Sequence, residues 1–115
     1  MKNKLTIKSR LWIISQEETF LGEGRVALLL AISDLGSISK AAKSMNMSYL
    51  KAWKLVESMN KASPQPLVER STGGKHGGGT TLTKQGQKVI QLFKNLTKAH
   101  DQYLNQKLEK HLREF

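Results

Sequence analysis

The stretch from Ser37 to Lys61 constrains the fold more than any other part of this 115-residue chain. Ser37 is a natural N-cap for a short helix over Ile38 to Met45, because a serine oxygen can accept an otherwise unpaired first-turn N–H. Ala41 and Ala42 in its middle are small enough for a second helix to cross closely. Asn46 follows, and asparagine tolerates the left-handed backbone that a tight interhelical turn needs. Ser48 caps a second helix from Tyr49 to about Lys61. Within it Ala52, Leu55 or Val56, and Met59 fall at helical spacing, with Trp53 adding bulk. Ser63-Pro64-Gln65-Pro66 ends it. Met45, Met47, Ala52 and Leu55 form the shared apolar seam, so the start of the second helix projects outward. Two short helices around a tight turn make a helix-turn-helix.

The flanks complete an architecture. Leu5 to Ile14 is rich in β-formers and reads as a strand, with a turn at Gln16-Glu17-Glu18 and a return strand at Thr19 to Leu21. Gly22-Glu23-Gly24 breaks that hairpin. Arg25 to Leu35 is a largely buried helix: Val26, Leu29, Leu30 and Ser33 make one face, widened by Leu28, Ile32 and Leu35. Gly36 stops it. Beyond the prolines, Leu67 to Arg70 and Thr80 to Leu82 read as strands joined by a glycine-rich loop over 71–79. Thr83 then caps a last helix with an apolar stripe at Val89, Phe93, Leu96, His100, Tyr103 or Leu104, Leu108 and Leu112. The expected fold is mainly α with small β-hairpins: a winged helix-turn-helix with an N-terminal β-hairpin and a long C-terminal dimerisation helix. The DNA-binding domain is expected over 1–83, with the helix-turn-helix at 37–61 and the wing at 67–82, and the pairing helix over 84–115. Little domain remains for that last stripe to cover, so Val89, Phe93, Leu96, Tyr103, Leu104 and Leu108 are expected to pair with a second copy.

Charge points to the partner. Nineteen Lys and Arg face nine Asp and Glu, a net of +10. Residues 37–88 hold nine of the basic residues against Glu57 and Glu69, so the excess lies over the helix-turn-helix and wing. A polyanion is the natural partner, either nucleic acid or an anionic membrane surface. No apolar run approaches a membrane span, and double-stranded DNA suits the helix pair. The outward residues Ser48, Tyr49, Lys51 and Lys54 are the candidate groove contacts, with Leu50 offering an apolar face to a thymine methyl. Ser37 and Ser39 join them from the first helix, and Lys75 and His76 from the loop, where glycines let the backbone approach phosphates.

Other chemistry finds no support. The chain lacks cysteine, which excludes disulfides and Cys-based zinc sites. His76, His100 and His111 show neither metal spacing nor a paired nucleophile, and Glu17-Glu18 reads as a solvated turn. Gly-Gly-Lys-His lacks the hydroxyl residue of a phosphate-binding loop, and Gly22-Glu23-Gly24 is too partial for a dinucleotide fingerprint. No signal peptide is visible. The expectation is a cytoplasmic, bacterial, non-enzymatic protein without metal or cofactor.

A resemblance narrows this further. Gly-Ser-Ile-Ser-Lys-Ala-Ala-Lys (36–43), Met-Ser-Tyr-Leu-Lys-Ala-Trp (47–53), Leu-Val-Glu-Arg (67–70), Thr-Gly-Gly-Lys-His-Gly-Gly-Gly (72–79) and Leu-Thr-Lys-Gln-Gly-Gln (82–87) occur in that order. Together they resemble the N-terminal DNA-binding domain of the ModE family of molybdate-responsive transcriptional regulators, whose helix-turn-helix is LysR-like. The resemblance implies a dimer on a palindromic operator. Ser48, Tyr49, Lys51 and Lys54 match the recognition-helix region, and Thr72, Lys75 and His76 match the wing. His76 stands where the family often has a small residue. Full-length members continue into a molybdate-binding module, whereas this sequence stops at Phe115, so molybdate is not expected on it. The alternatives are a winged helix used for protein interaction and a non-specific architectural DNA binder.

Overall fold

A computed structural model describes residues 5–71 and 79–114. The element order is β1 (Ile13–Ser15), β2 (Glu18–Leu21), α1 (Glu23–Leu35), α2 (Ile38–Ser44), α3 (Tyr49–Ala62), β3 (Val68–Arg70), β4 (Thr80–Leu82) and α4 (Lys84–Leu112). The strands form two antiparallel hairpins, β1–β2 and β3–β4. The architecture is the expected one: mostly helical, a helix-turn-helix, a hairpin beside it and a long final helix.

Local chemistry sets the helix boundaries. Ser37 Oγ accepts from Lys40 N at 3.1 Å, Ser48 Oγ from Lys51 N at 3.1 Å, and Thr83 Oγ1 from Gly86 N at 3.0 Å. Each cap satisfies a donor that the helix itself leaves unpaired, and such a cap contributes about 1 kcal/mol. Asn46 takes φ 54°. Around it Met47 N donates to Ala42 O at 3.0 Å and Asn46 N to Lys43 O at 3.2 Å. Those two bonds close α2 as a Schellman motif and turn the chain into α3. Gly36, at φ 68°, closes α1 by donating to Ile32 O at 2.8 Å.

α1 is the hub of the core. It packs against α2, α4, β2 and β4. Its Leu28, Leu29 and Ile32 are fully buried with Leu21, Met59 and Leu67, and Ala41 and Ala52 sit at the close helix crossings. Burial of each large side chain stabilises by roughly 1.5–3 kcal/mol. The wing is fastened to this hub. Thr80 N donates to Gly36 O at 2.9 Å, and Thr83 N to Leu67 O at 2.9 Å.

Four expectations need correction. The strand drawn over Leu5 to Ile14 begins only at Ile13, because β2 is four residues long and gives the upstream chain no partner. That upstream segment runs along α4 instead: Ile7 N donates to Asn105 Oδ1 at 2.9 Å, and Asn105 Nδ2 to Ile7 O at 3.3 Å. Leu35, placed in the buried face of α1, is exposed, as is Trp53, expected to add bulk beside the apolar positions of its helix. Val89 and Phe93, assigned to the pairing face, are 6% and 7% exposed in the chain's own core, whereas Leu96 and Tyr103 are 43% and 58% exposed. The apolar stripe is therefore divided, its first residues spent on the core and Leu96 and Tyr103 left exposed.

The first hairpin holds a further surprise. Ser15 pairs with Glu18 across a two-residue loop in which Gln16 and Glu17 have φ 49° and 69°. Two successive positive φ values define a type I′ turn, which glycine and asparagine fill most readily. Glutamine and glutamate carry a side-chain clash there of about 1 kcal/mol each.

Candidate nucleic-acid interface

The surface around α3 is organised by helical geometry into three stripes. Ala52, Val56 and Met59 are buried against the domain. Opposite them, at i, i+4, i+7 and i+11, lie Leu50, Lys54, Glu57 and Lys61, all exposed. One flank carries Tyr49, Trp53 and Asn60 and faces the wing, because the Asn60 side chain binds the β3 backbone. The other flank carries Lys51, Leu55 and Ser58 and faces the start of α1, where Arg25 Nη1 donates to Ser58 Oγ at 3.0 Å. Lys51 and Lys54 are therefore presented on adjacent ridges near the capped end of the helix, with Tyr49, Leu50 and Trp53 beside them.

Ser48 has a double capacity. Its oxygen accepts from Lys51 N, while its O–H remains able to donate to an external acceptor. Ser37 is built alike at the start of α2, and Ser39 is exposed beside it. The N-terminal turns of α2 and α3 contain no acidic residue. Glu57 is the one carboxylate on α3, two turns from its start. Partly positive helix ends, cationic side chains and free hydroxyl donors on one surface suit an anionic ligand with acceptor atoms.

The wing sits next to α3 by a specific tie. Asn60 Oδ1 accepts from Leu67 N at 2.8 Å and Val68 N at 3.2 Å, and its Nδ2 donates to Val68 O at 3.0 Å. One amide side chain thus satisfies three backbone groups where the chain enters the wing's first strand. β3 and β4 pair in register, Val68 with Leu82 and Arg70 with Thr80. Below the tip, Ser71 N donates to Gly79 O at 2.9 Å and Gly79 N to Ser71 Oγ at 3.0 Å. The wing candidates Thr72, Lys75 and His76 lie outside the described residues.

Sequence reasoning misses two groups here. Trp53, expected only to add bulk to its helix, is 38% exposed one turn from Tyr49. Arg25 carries no motif, and its segment has almost no net charge, so nothing in the sequence links it to α3. Burial lowers its pKa, and Glu18 partly offsets that, leaving a guanidinium that stays charged at neutral pH. Among the described residues no three His, Asp or Glu side chains gather as a metal site, and no helix is long and apolar enough to cross a membrane.

Comparison with known proteins agrees with this geometry. Residues 24–87 match the family described as bacterial regulatory helix-turn-helix protein, lysR family. The chain is similar to the transcriptional regulator ModE of Haemophilus influenzae, with 46% identity over 86 residues, 75% of this chain and 34% of that protein. It is similar also to the DNA-binding transcriptional dual regulator ModE of Escherichia coli K12, with 47% identity over 78 residues, 68% of this chain and 30% of that protein. The chain thus spans about a third of the length of these relatives. Among solved structures, the BenM DNA-binding domain in complex with benA site 1 DNA superposes with a TM-score of 0.52 at 18% identity, covering 78% of this chain and 93% of that one. Identity that low speaks for the shared winged-helix fold alone.

Proposed function

The chain belongs to the lysR family of bacterial regulatory helix-turn-helix proteins, and on that premise we propose that it is a sequence-specific, ModE-like DNA-binding transcriptional regulator that acts as a homodimer in the cytoplasm. The observation that carries this reading is the surface of α3: a Ser48-capped start with Lys51, Lys54, Tyr49, Leu50 and Trp53 exposed and no carboxylate in its first turns. α3 enters the major groove, where Lys54 donates to guanine acceptors and Leu50 meets thymine methyls. Lys51, Ser48 and the α2 residues Ser37 and Ser39 hold the flanking phosphates and set the register. Thr72, Lys75 and His76 extend the phosphate contacts from the wing. No reaction is assigned to the chain, no residue to a metal or cofactor, and none of these 115 residues to molybdate.

Pairing falls to the exposed stripe of α4 beyond the core contacts. Leu92, Leu96 and Tyr103 are exposed at i, i+4 and i+11, with Leu104 and Leu108 half-buried beside them. Leu96, Tyr103, Leu104 and Leu108 are kept from the expected set, Leu92 joins them, and Val89 and Phe93 drop out because the core consumes them. A twofold pair would set its two α3 helices roughly 34 Å apart, one turn of B-DNA, or a multiple of it.

The test is affinity for duplex DNA as salt is varied. Lys54→Ala is expected to weaken binding to a preferred duplex roughly tenfold or more, with a smaller loss on random duplex, since base contacts specify and phosphate contacts do not. Equal losses on both duplexes would assign Lys54 to phosphate alone. Absence of binding by the wild-type protein at low salt would remove the reading.

A further inference from the structure

We infer that Arg25 and Ser58 join Lys51 in a phosphate clamp on the α1 side of α3, a DNA-backbone contact that borders the groove contacts and is separate from the wing. The inference rests on the DNA-binding reading above and adds a third anchoring point to it. A cleft of about 450 Å³ opens beside α3, lined by Arg25, Ser48, Leu50, Lys51, Lys54, Leu55 and Ser58. Three of those side chains are cations, two are hydroxyls and none is a carboxylate. That is the donor set of a phosphate site: fixed positive charge, neutral O–H donors and no competing anion.

The arrangement of Arg25 distinguishes it from a solvated surface arginine. It is half-buried at the start of α1, and one Nη nitrogen is held by Ser58 Oγ at 3.0 Å. A guanidinium has five donors in a rigid fork, so four N–H groups remain once Ser58 is engaged. Glu18 of β2 is the acidic group that acts on Arg25, and it does not line the cleft. Ser58 lies two turns along α3 from Lys51 on the same flank. The fork is therefore fixed beside the recognition surface, at the edge where a groove-bound helix meets the sugar–phosphate backbone. Lysine cannot reproduce it, because a single ammonium cannot engage Ser58 and clasp a phosphate through a planar fork at once.

Phosphate binding is independent of sequence, so a random-sequence duplex is the probe. Arg25→Gln keeps a donor for Ser58 and removes the charge. Its slope of log affinity against log salt is expected to become shallower by about 0.9, the value for one phosphate that is no longer neutralised, while its melting temperature stays near that of wild type. Arg25→Lys is expected to keep the slope and bind roughly threefold more weakly. An Arg25→Gln protein with the wild-type slope would overturn the clamp, and so would an Arg25→Lys protein with wild-type affinity, whichever variant folds better. Lys54→Ala is measured alongside. If it weakens binding while the Arg25 variants do not, the DNA-binding reading stands and the clamp alone falls. If wild-type protein binds no duplex, both fall.

Discussion

Gly86→Ala is expected to destabilise the domain by about 2 kcal/mol or more, although alanine is the better helix former. Gly86 is buried in the first turn of α4, where the helix leaves the wing. A Cβ at this position would land on the Leu67 carbonyl oxygen and within 2.9 Å of Leu82 Cγ. Helix propensity alone favours alanine by roughly 1 kcal/mol. The clash outweighs that gain because one partner is backbone and cannot rotate away. Relief requires α4 to withdraw from β3, which stretches the 2.9 Å bond from Thr83 N to Leu67 O and the Thr83 cap on Gly86 N. For a domain of this size the melting temperature should drop by roughly 10 °C. Gly24→Ala is the matched control: it lies in α1 with nothing within 4 Å of its would-be Cβ, so it should stabilise by about 0.5–1 kcal/mol. Thermal melts of both variants check the argument, and a raised melting temperature for Gly86→Ala would contradict the packing of α4 on the wing.

Asn60→Ala carries the second large effect, and it reaches function. Its side chain serves Leu67 N, Val68 N and Val68 O, and Leu67 and Val68 are buried. Truncation leaves three backbone groups without partners, at about 1 kcal/mol or more for each, so a loss near 3 kcal/mol is expected. Some of that is recovered if water enters the space the side chain leaves. Asn60→Asp keeps the two accepted bonds but sets a carboxylate against Val68 O, so it should fall between alanine and wild type. The same tie fixes the wing against α3. Random-duplex affinity should therefore fall in Asn60→Ala even at temperatures where the protein remains folded, because two anchoring elements lose their fixed separation. A variant with wild-type melting temperature and wild-type affinity would show that the wing is positioned by other contacts.

The parts of the fold legible in the sequence are those governed by chemistry within a few residues. Ser37, Ser48 and Thr83 cap the helices they precede, Gly36 and Asn46 adopt left-handed backbone, and the Pro64–Pro66 segment separates α3 from the wing. The errors occur where the outcome depends on what a distant segment supplies. Leu5 to Trp12 has β composition, but a strand needs a partner, and the available one ends at four residues; its bonds go to Asn105 across the whole chain. The α4 stripe runs on past Phe93 with unbroken period, and periodicity does not reveal where the domain beneath the helix stops. At 29 residues α4 is about 44 Å long, against a molecule 63 × 30 × 22 Å, so much of it must project. Trp53 illustrates the same limit at one residue: a large apolar side chain on a helix flank is buried only if a neighbour covers that flank.

The candidate interface divides likewise. Lys51 and Lys54 follow from the register that Ser48 imposes on α3, and that register is readable from the chain alone. Arg25 enters only because α1 crosses beside α3, a tertiary fact with no local signature. Trp53 becomes available to DNA for the same reason it is absent from the core.

Selection of bound duplexes from a random pool tests the central claim most directly. The account predicts enrichment of a palindrome whose half-sites lie about 10 base pairs apart, centre to centre, or a multiple of that, with Lys54→Ala relaxing preference at defined positions. Retention of duplexes with no enriched sequence would contradict a sequence-specific regulator and leave an architectural binder. Enrichment of a single half-site without its inverted copy would contradict the pairing of α4.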